Sequence, residues 1–311
     1  MEQRTMENVV KYYRRKYNLS QEEICDGICS TTTISRLEKG KREIDSLLGQ
    51  TILGRIGREV TLFETVLNEE DFELLKIRTE IQKSVENNQP EDARKWIKEY
   101  RKVMPQDETV HEQFCLYQEM LLLEKENKPV KEICDILDRG IKLTIPDFEQ
   151  NTEKKRLYSP TEIQMILSLY RYDRDKEDFL EEELLKVLDY IEAYYKDEKK
   201  EKIETKIYLE IIHCQEQKGN DEKTLIYIDK LMKVISRGEG FHHLKELYFL
   251  RAKIRVKKAD DETSREKCFK DCIIAYNLCE IEEDNKRQRE IAVFCEEVLG
   301  CQITEPEILL D

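Results

Sequence analysis

Residues 18–42 read NLSQEEICDGICSTTTISRLEKGKR, a stretch that predicts two short helices joined by a tight turn. Ser20 and Glu23 form a capping box at the start of the first helix, because each side chain can satisfy a backbone N–H group that the helix leaves unpaired. Gly27 permits the turn, since glycine adopts positive φ angles at little cost. The second helix then runs into a basic exit that contains another glycine.

The second helix is expected to have one buried face and one exposed face. Ser30 or Thr31 would cap it, and Ile34 and Leu37 have the spacing of inward-facing residues. The other side chains of 32–36 carry hydroxyl groups and a guanidinium, which we expect to point outward. In a two-helix unit of this kind, the second helix enters the major groove of DNA. Hydroxyls and an arginine can hydrogen-bond to base edges there.

Candidate phosphate contacts lie on both sides of this helix. Gln21 begins the preceding helix, where free N–H groups and the helix dipole favour an anion, and the basic exit can neutralise further phosphates. The candidate DNA-binding residues are Gln21, Thr31, Thr32, Thr33, Ser35, Arg36, Lys39, Lys41 and Arg42. As an alternative, Arg36 would pair with Glu38 or Asp45 inside the protein.

The same residues carry a resemblance to a known family. LSQEEI (19–24) and TTTISRLEKGKR (31–42) resemble the Xre/Cro-type helix-turn-helix, whose usual run is L-S-Q-x-x-L, a turn, and I-S-R-x-E-x-G. The turn is one residue shorter than usual. In this respect it resembles the turn of the RRNPP group, the peptide-sensing (quorum-sensing) regulators of Gram-positive bacteria. The resemblance covers about a fifth of the chain. It implies a DNA-binding head joined to tetratricopeptide repeats that bind short signalling peptides.

The rest of the chain predicts a string of amphipathic helices separated by short polar breaks, such as NNQPED, ENKPVK and KGNDEK. Helices are expected over 69–86, 90–103, 107–126, 130–142, 160–174, 178–195, 200–218, 221–236, 241–257, 263–279 and 285–299. Successive breaks lie about 40 residues apart, a period typical of helix-pair repeats. We therefore expect an all-α chain: a helix-turn-helix domain over 1–66, and over 67–311 a right-handed α-solenoid of tetratricopeptide-like helix pairs that also dimerises.

A solenoid offers a concave face that is lined by the first helix of each pair. Amide side chains there could pair with the backbone of an extended peptide, and aromatic side chains could hold its apolar groups. The candidate peptide-binding residues are Gln113, Tyr117, Gln118, Gln164, Tyr170, Arg171 and Tyr208. The alternative for the aromatic residues is ordinary packing in the core.

Composition narrows the function. The net charge of −14 is uneven, because 1–66 carries 11 Lys/Arg against 10 Asp/Glu and the acidic excess lies in the remaining chain. This fits a head that meets phosphate and a body that does not. No apolar run is long enough to cross a membrane, and no secretory signal is apparent. The spacing of Cys268, Cys272 and Cys279 predicts buried thiols in a reducing cytoplasm rather than disulfides, and we expect no metal site and no cofactor.

Signatures of catalysis are also missing from the sequence: it has no nucleophile elbow, no His-Glu-x-x-His and no phosphate-binding loop with its lysine. We therefore expect a cytoplasmic, sequence-specific DNA-binding transcriptional regulator rather than an enzyme. It would bind a double-stranded DNA operator as a homodimer and respond to a short peptide. The alternative is a helical-repeat scaffold for protein partners, with a vestigial helix-turn-helix. An enzyme would require a catalytic cluster that the sequence does not display.

Overall fold

The computed structural model describes residues 6–58, 68–106, 109–150, 155–196, 198–235, 240–259 and 261–303. Within these ranges every regular element is a helix, which confirms the predicted all-α fold. The helices are α1 (Met6–Lys16), α2 (Gln21–Cys25), α3 (Thr31–Leu37), α4 (Ser46–Gly54), α5 (Glu69–Glu86), α6 (Pro90–Val103), α7 (Thr109–Lys125), α8 (Val130–Thr144), α9 (Pro160–Tyr172), α10 (Glu177–Tyr194), α11 (Glu198–Gln217), α12 (Asp221–Ile235), α13 (Leu244–Val256), α14 (Glu262–Ile281) and α15 (Asn285–Phe294). None of them is long and apolar enough to span a bilayer.

All eleven helices predicted for the body are present as α5 to α15. Helices α5 and α6 begin and end at the predicted residues. The predicted helix over 241–257 begins later, at Leu244, because a short 3-10 helix (Gly240–His243) precedes it. The last predicted helix is split into α15 and a π-helical turn (Cys295–Leu299).

Contacts divide the chain into two compact units, Met1–Lys196 and Asp197–Asp311. In each unit, helices that follow one another along the chain pack together, α5 on α6 and α7 on α8 in the first unit and α11 on α12 and α13 on α14 in the second. This confirms the prediction of consecutive helix pairs. The predicted domain boundary between residues 66 and 67 lies outside the described residues and stays a prediction.

Helices α1 to α4 enclose a small core of their own. The four-residue spacing of Leu48, Ile52 and Ile56 predicts one apolar stripe, and all three side chains are fully buried. Ile24 of α2 and Ile34 of α3 are also fully buried. Burying a side chain of this size stabilises the fold by about 1.5–3 kcal/mol, and these residues fix α3 by its inner face.

Arg55, just after α4, joins this small bundle to the following helices of the first unit. Its side chain is 2% exposed and forms an ion pair with Glu162 of α9, which is 0% exposed. The guanidinium also donates to the carbonyl oxygens of Thr144, at 3.1 Å, and Asp26. The Tyr190 hydroxyl lies 2.9 Å from the carbonyl oxygen of Arg55. The charge is therefore enclosed and fully paired, which is the condition under which a buried ion pair is tolerated.

A second polar junction fixes the N-terminus of α4. The backbone N–H and the hydroxyl of Ser46 donate to the carboxylate of Asp71 in α5, at 2.9 and 2.8 Å. Arg78 donates to the Ser46 hydroxyl at 2.7 Å and to the Tyr100 hydroxyl at 3.2 Å. Buried polar groups require such partners, so α4 is tied to α5 and α6 at defined points.

The second unit has a core that is rich in cysteine. Cys268, Cys272 and Cys279 of α14 are all 0% exposed and pack with Phe249 and Ile291. Free cysteine behaves as a small hydrophobic residue in such surroundings. Burial raises the pKa of Cys268 and of Cys279, which keeps these thiols protonated.

Candidate nucleic-acid interface

The capping residues set the positions of α2 and α3. The predicted capping box is confirmed: the Ser20 hydroxyl accepts from the N–H of Glu23, and the Glu23 carboxylate accepts from the N–H of Ser20. Ser30, rather than Thr31, caps α3 and accepts from the N–H of Thr33 at 3.1 Å. Each cap is worth about 1 kcal/mol, so the start of α3 is fixed by its own sequence.

The outer face of α3 forms one side of a shallow groove of about 380 Å³. Seven of the nine candidate DNA-binding residues line this groove together: Gln21, Thr31, Thr32, Ser35, Arg36, Lys39 and Lys41. Thr31, Thr32, Arg36, Lys39 and Lys41 are exposed. The groove thus presents hydroxyls and cations on one surface, the chemistry that base edges and phosphates require.

Thr33 and Arg42 do not belong to this surface. Thr33 is 5% exposed, and its hydroxyl lies 3.0 Å from the Ser30 hydroxyl. Arg42 donates to the same Thr33 oxygen at 3.1 Å. The prediction that Thr33 points outward is wrong, because it occupies the third position of α3, where its hydroxyl joins the cap instead of the solvent.

Glu38, at the end of α3, joins this helix to α1 and α2. Its carboxylate accepts from the Arg14 guanidinium of α1 at 2.8 Å and from the Gln21 amide of α2 at 2.9 Å. Glu38 therefore pairs with Arg14, and the alternative in which it pairs with Arg36 has no support in these contacts. Nothing next to Arg14 in the sequence indicates this role, because its partner lies 24 residues away. Burial disfavours the Glu38 carboxylate, but the hydrogen bonds from Arg14 and Gln21 outweigh it and lower its pKa.

We expect Glu38→Gln to lower the free energy of unfolding by about 1–2 kcal/mol at neutral pH, because it removes a charge-assisted bond to Arg14. Since the pKa of Glu38 is lower in the folded state, its stabilisation is complete above the unfolded-state pKa and is lost as pH falls through the folded-state pKa. Denaturant unfolding followed by circular dichroism across this range measures both effects. Glu99→Gln, which removes an exposed pair with Lys102, should leave the free energy of unfolding nearly unchanged, because solvent screens that pair. If the difference in unfolding free energy between the natural protein and Glu38→Gln stayed constant as the pH was lowered, this account would be contradicted.

The candidate peptide-binding residues differ from one another in burial and do not all lie in the same unit. Gln113 is 2% exposed, and its amide donates to Gly140 O at 3.0 Å and to Thr144 Oγ1 at 2.6 Å, so it holds α7 against α8 instead of facing a ligand. Gln118 and Tyr170 are also buried. The remaining candidates are half-buried or exposed: Tyr117, Gln164, Arg171 and Tyr208. Of these, Tyr208 belongs to the second unit, where its ring contacts Tyr227.

Comparison with solved structures finds chains of similar length and fold. One is Bacillus thuringiensis PlcR in complex with the peptide PapR7 and DNA, at 14% identity and a TM-score of 0.47, covering 93% of this chain and 99% of that chain. A second is a protein from Listeria monocytogenes EGD-e, at 13% identity and a TM-score of 0.47, covering 95% of this chain and 97% of that chain. A third is ComR from S. thermophilus in complex with DNA and its signalling peptide ComS, at 16% identity and a TM-score of 0.41, covering 96% and 100%.

No curated protein matches this chain. The family model for the helix-turn-helix, HTH_3, matches residues 10–59. This span holds α2, the turn at Gly27, α3 with its exposed outer face, and α4. Residues 10–59 are therefore a helix-turn-helix domain.

Proposed function

We propose that this protein is a sequence-specific DNA-binding transcriptional regulator whose α3 enters the major groove. The observation that carries the proposal is the groove along α3, where Thr31, Thr32, Ser35 and Arg36 lie on one outer surface. Arginine can bind guanine with two hydrogen bonds, and hydroxyls can donate to or accept from either base of a pair. The capped start of α3 and its Glu38 anchor hold this surface in one orientation, which recognition of a fixed sequence requires.

Phosphate contacts would come from the ends of the same groove. Lys39 and Lys41 are exposed just after α3, and Gln21 lies at the N-terminus of α2. The net charge of the whole chain is −14, so the body contributes no general attraction to DNA. Affinity should therefore depend on these few cations and fall steeply as salt increases, because each neutralised phosphate releases counterions.

The regulatory half of the proposal concerns the helix pairs of the body. We infer that they bind a short signalling peptide and form a homodimer on a two-fold operator in the cytoplasm. One helix-turn-helix makes only a few base contacts, and two related half-sites supply the specificity that such domains need. The sequence resemblance to peptide-sensing regulators supports the peptide as ligand. A peptide can act only if it binds one arrangement of the protein better than the other.

We expect Arg36→Ala to weaken binding to a preferred duplex by about 1–3 kcal/mol, or roughly fivefold to 150-fold, through loss of a base contact. The preferred duplex is first selected by the full-length protein from a random pool, and binding is then measured by fluorescence anisotropy. Lys39→Ala should weaken all duplexes alike and reduce the slope of log affinity against log salt by about one.

Arg94→Ala is the matched control for Arg36→Ala, because Arg94 is an exposed arginine of α6 that pairs with Glu126, far along the chain from α3. It should leave DNA binding unchanged. If selection enriches no sequence, or if Arg36→Ala binds the selected duplex as well as the natural protein does, the regulator proposal fails. Retention of a protein partner by the body would then favour the scaffold instead.

A further inference from the structure

The turn between α2 and α3 contains two cysteines that the proposed DNA contacts do not use. Cys25 ends α2, and Cys29 lies two residues before the start of α3. The backbone N–H of Cys29 donates to the carbonyl oxygen of Cys25 at 3.1 Å, which closes one turn between them. Both side chains line one cavity beside the turn, and the Cys25 thiol donates to the carbonyl oxygen of Glu22 at 3.6 Å. The two cysteines are therefore neighbours within the segment that orients α3.

A small peroxide could reach the pair through a cavity of about 480 Å³ beside the turn, which both cysteines line. Cys29 is partly exposed, whereas Cys25 is only 3% exposed and meets the cavity from its inner side. The cavity is also lined by Lys155 and by the carboxylates of Glu22, Glu23 and Asp26. The hydrogen bond from the Cys29 thiol lowers the pKa of Cys25, and the nearby Arg55 guanidinium acts in the same direction, against burial and the charge of Asp26. A lower thiol pKa increases the fraction of thiolate, the form that reacts with oxidants.

We propose that Cys25 and Cys29 form an oxidisable thiol pair that reacts with a hydroperoxide and closes into an intramolecular disulfide. The Cys25 thiolate attacks the peroxide oxygen, an S–O bond forms as the O–O bond breaks, and the alcohol leaves after protonation. Cys29 then attacks the Cys25 sulfenic acid, the S–S bond forms, and water leaves with the Cys29 proton. In total two thiols lose two electrons and two protons, and the hydroperoxide is reduced to alcohol and water, or to two waters where the oxidant is hydrogen peroxide.

Closing this disulfide is expected to reshape the turn before α3. The turn is now held by the N–H groups of Ile28 and Cys29, which donate to the Cys25 carbonyl oxygen at 3.0 and 3.1 Å. A disulfide would instead hold the two Cβ atoms about 3.5–4.5 Å apart, next to Ser30, the residue that caps α3. On the proposed function, from which this step follows, the outer face of α3 would then meet base edges in an altered position, and affinity for the selected duplex should fall about tenfold.

The test uses the full-length protein treated with hydrogen peroxide and digested with trypsin without reduction. Residues 17–36 contain no lysine or arginine before Arg36, so both cysteines fall in one tryptic peptide that contains no other cysteine. We expect this peptide to lose the mass of two hydrogens and to regain it with dithiothreitol. In Cys29→Ser the first step has no resolving thiol, so dimedone should trap a sulfenic acid at Cys25.

The controls separate this pair from the other thiols. Cys134 and Cys301 are the remaining cysteines that are partly exposed. A Cys134→Ser/Cys301→Ser variant should still show the mass loss in peptide 17–36 and the fall in duplex affinity. Absence of the mass loss in peptide 17–36 overturns the proposal, whether or not the protein binds DNA. A disulfide that forms without any change in duplex affinity leaves the thiol site standing and overturns its coupling to DNA binding.

Discussion

Glu162→Ala is expected to lower the free energy of unfolding of the first unit by about 3–5 kcal/mol, because it leaves the Arg55 guanidinium buried without its counter-charge. Both side chains are almost wholly enclosed, with exposures of 2% and 0%. The carbonyl oxygens of Thr144 and Asp26 would still accept from Arg55, but they carry no net charge. Since α4 and α9 meet at this pair, the loss should also loosen the helix-turn-helix domain from the helices that follow it.

Trp96 provides a local measurement. It is the only tryptophan of the chain and lies in α6 of the first unit, so its fluorescence follows the unfolding of that unit in denaturant. Glu126→Ala is the control, since it breaks the more exposed pair with Arg94 and should cost no more than about 1 kcal/mol.

An Arg55→Met/Glu162→Met variant tests the cause of this loss. It removes both charges and should recover most of the stability, because buried ion pairs are often replaceable by apolar residues. Similar midpoints for Glu162→Ala and Glu126→Ala would contradict the importance assigned to the buried pair.

The helix ends and the buried helix faces could be predicted, because both depend on residues close together in the sequence. Helix ends depend on neighbours in sequence, so Ser20 with Glu23 predicted the start of α2, and Pro90 after a polar break predicted the start of α6. Leu48, Ile52 and Ile56 were predictable because helical periodicity reports which face is buried. The exposed residues of α3 follow from the same periodicity.

The partners of individual polar side chains could not be predicted, because they depend on the three-dimensional fold. Arg55 and Glu162 are 107 positions apart, and nothing near either residue distinguishes it from a solvated charge. The polarity of Thr33 predicts an outward side chain, but capping geometry turns its hydroxyl toward Ser30, three residues away. Polarity likewise predicts a ligand for Gln113, although two acceptors on α8 bind its amide. Polarity predicts a need for partners, and only the three-dimensional fold supplies their identity.

Gly27→Ala should be the most damaging change of a single glycine in the helix-turn-helix domain. Gly27 has a φ of 71°, and a Cβ atom built there would overlap the carbonyl oxygen of Thr144 and lie 2.8 Å from its carbonyl carbon. Because both obstacles are backbone atoms at the end of α8, no side-chain rotation can relieve them. The turn would have to move away from Thr144, which would stretch the hydrogen bond that Thr109 donates to the Gly27 carbonyl oxygen at 3.0 Å.

Gly219→Ala separates the cost of the backbone angle from the cost of the clash. Gly219 has a nearly identical φ of 69°, and a Cβ atom built there meets nothing within 4 Å. Its replacement should therefore cost only about 1–2 kcal/mol, the penalty of a left-handed conformation for a residue with a Cβ atom. Gly27→Ala should cost at least about 2 kcal/mol more, in the range of overpacked sites, when unfolding of both variants is followed by circular dichroism. If Gly27→Ala and Gly219→Ala lower the free energy of unfolding by the same amount, the backbone at Thr144 can move away from the added methyl group. The close contact between the turn and the end of α8 would then not be needed for the stability of the domain.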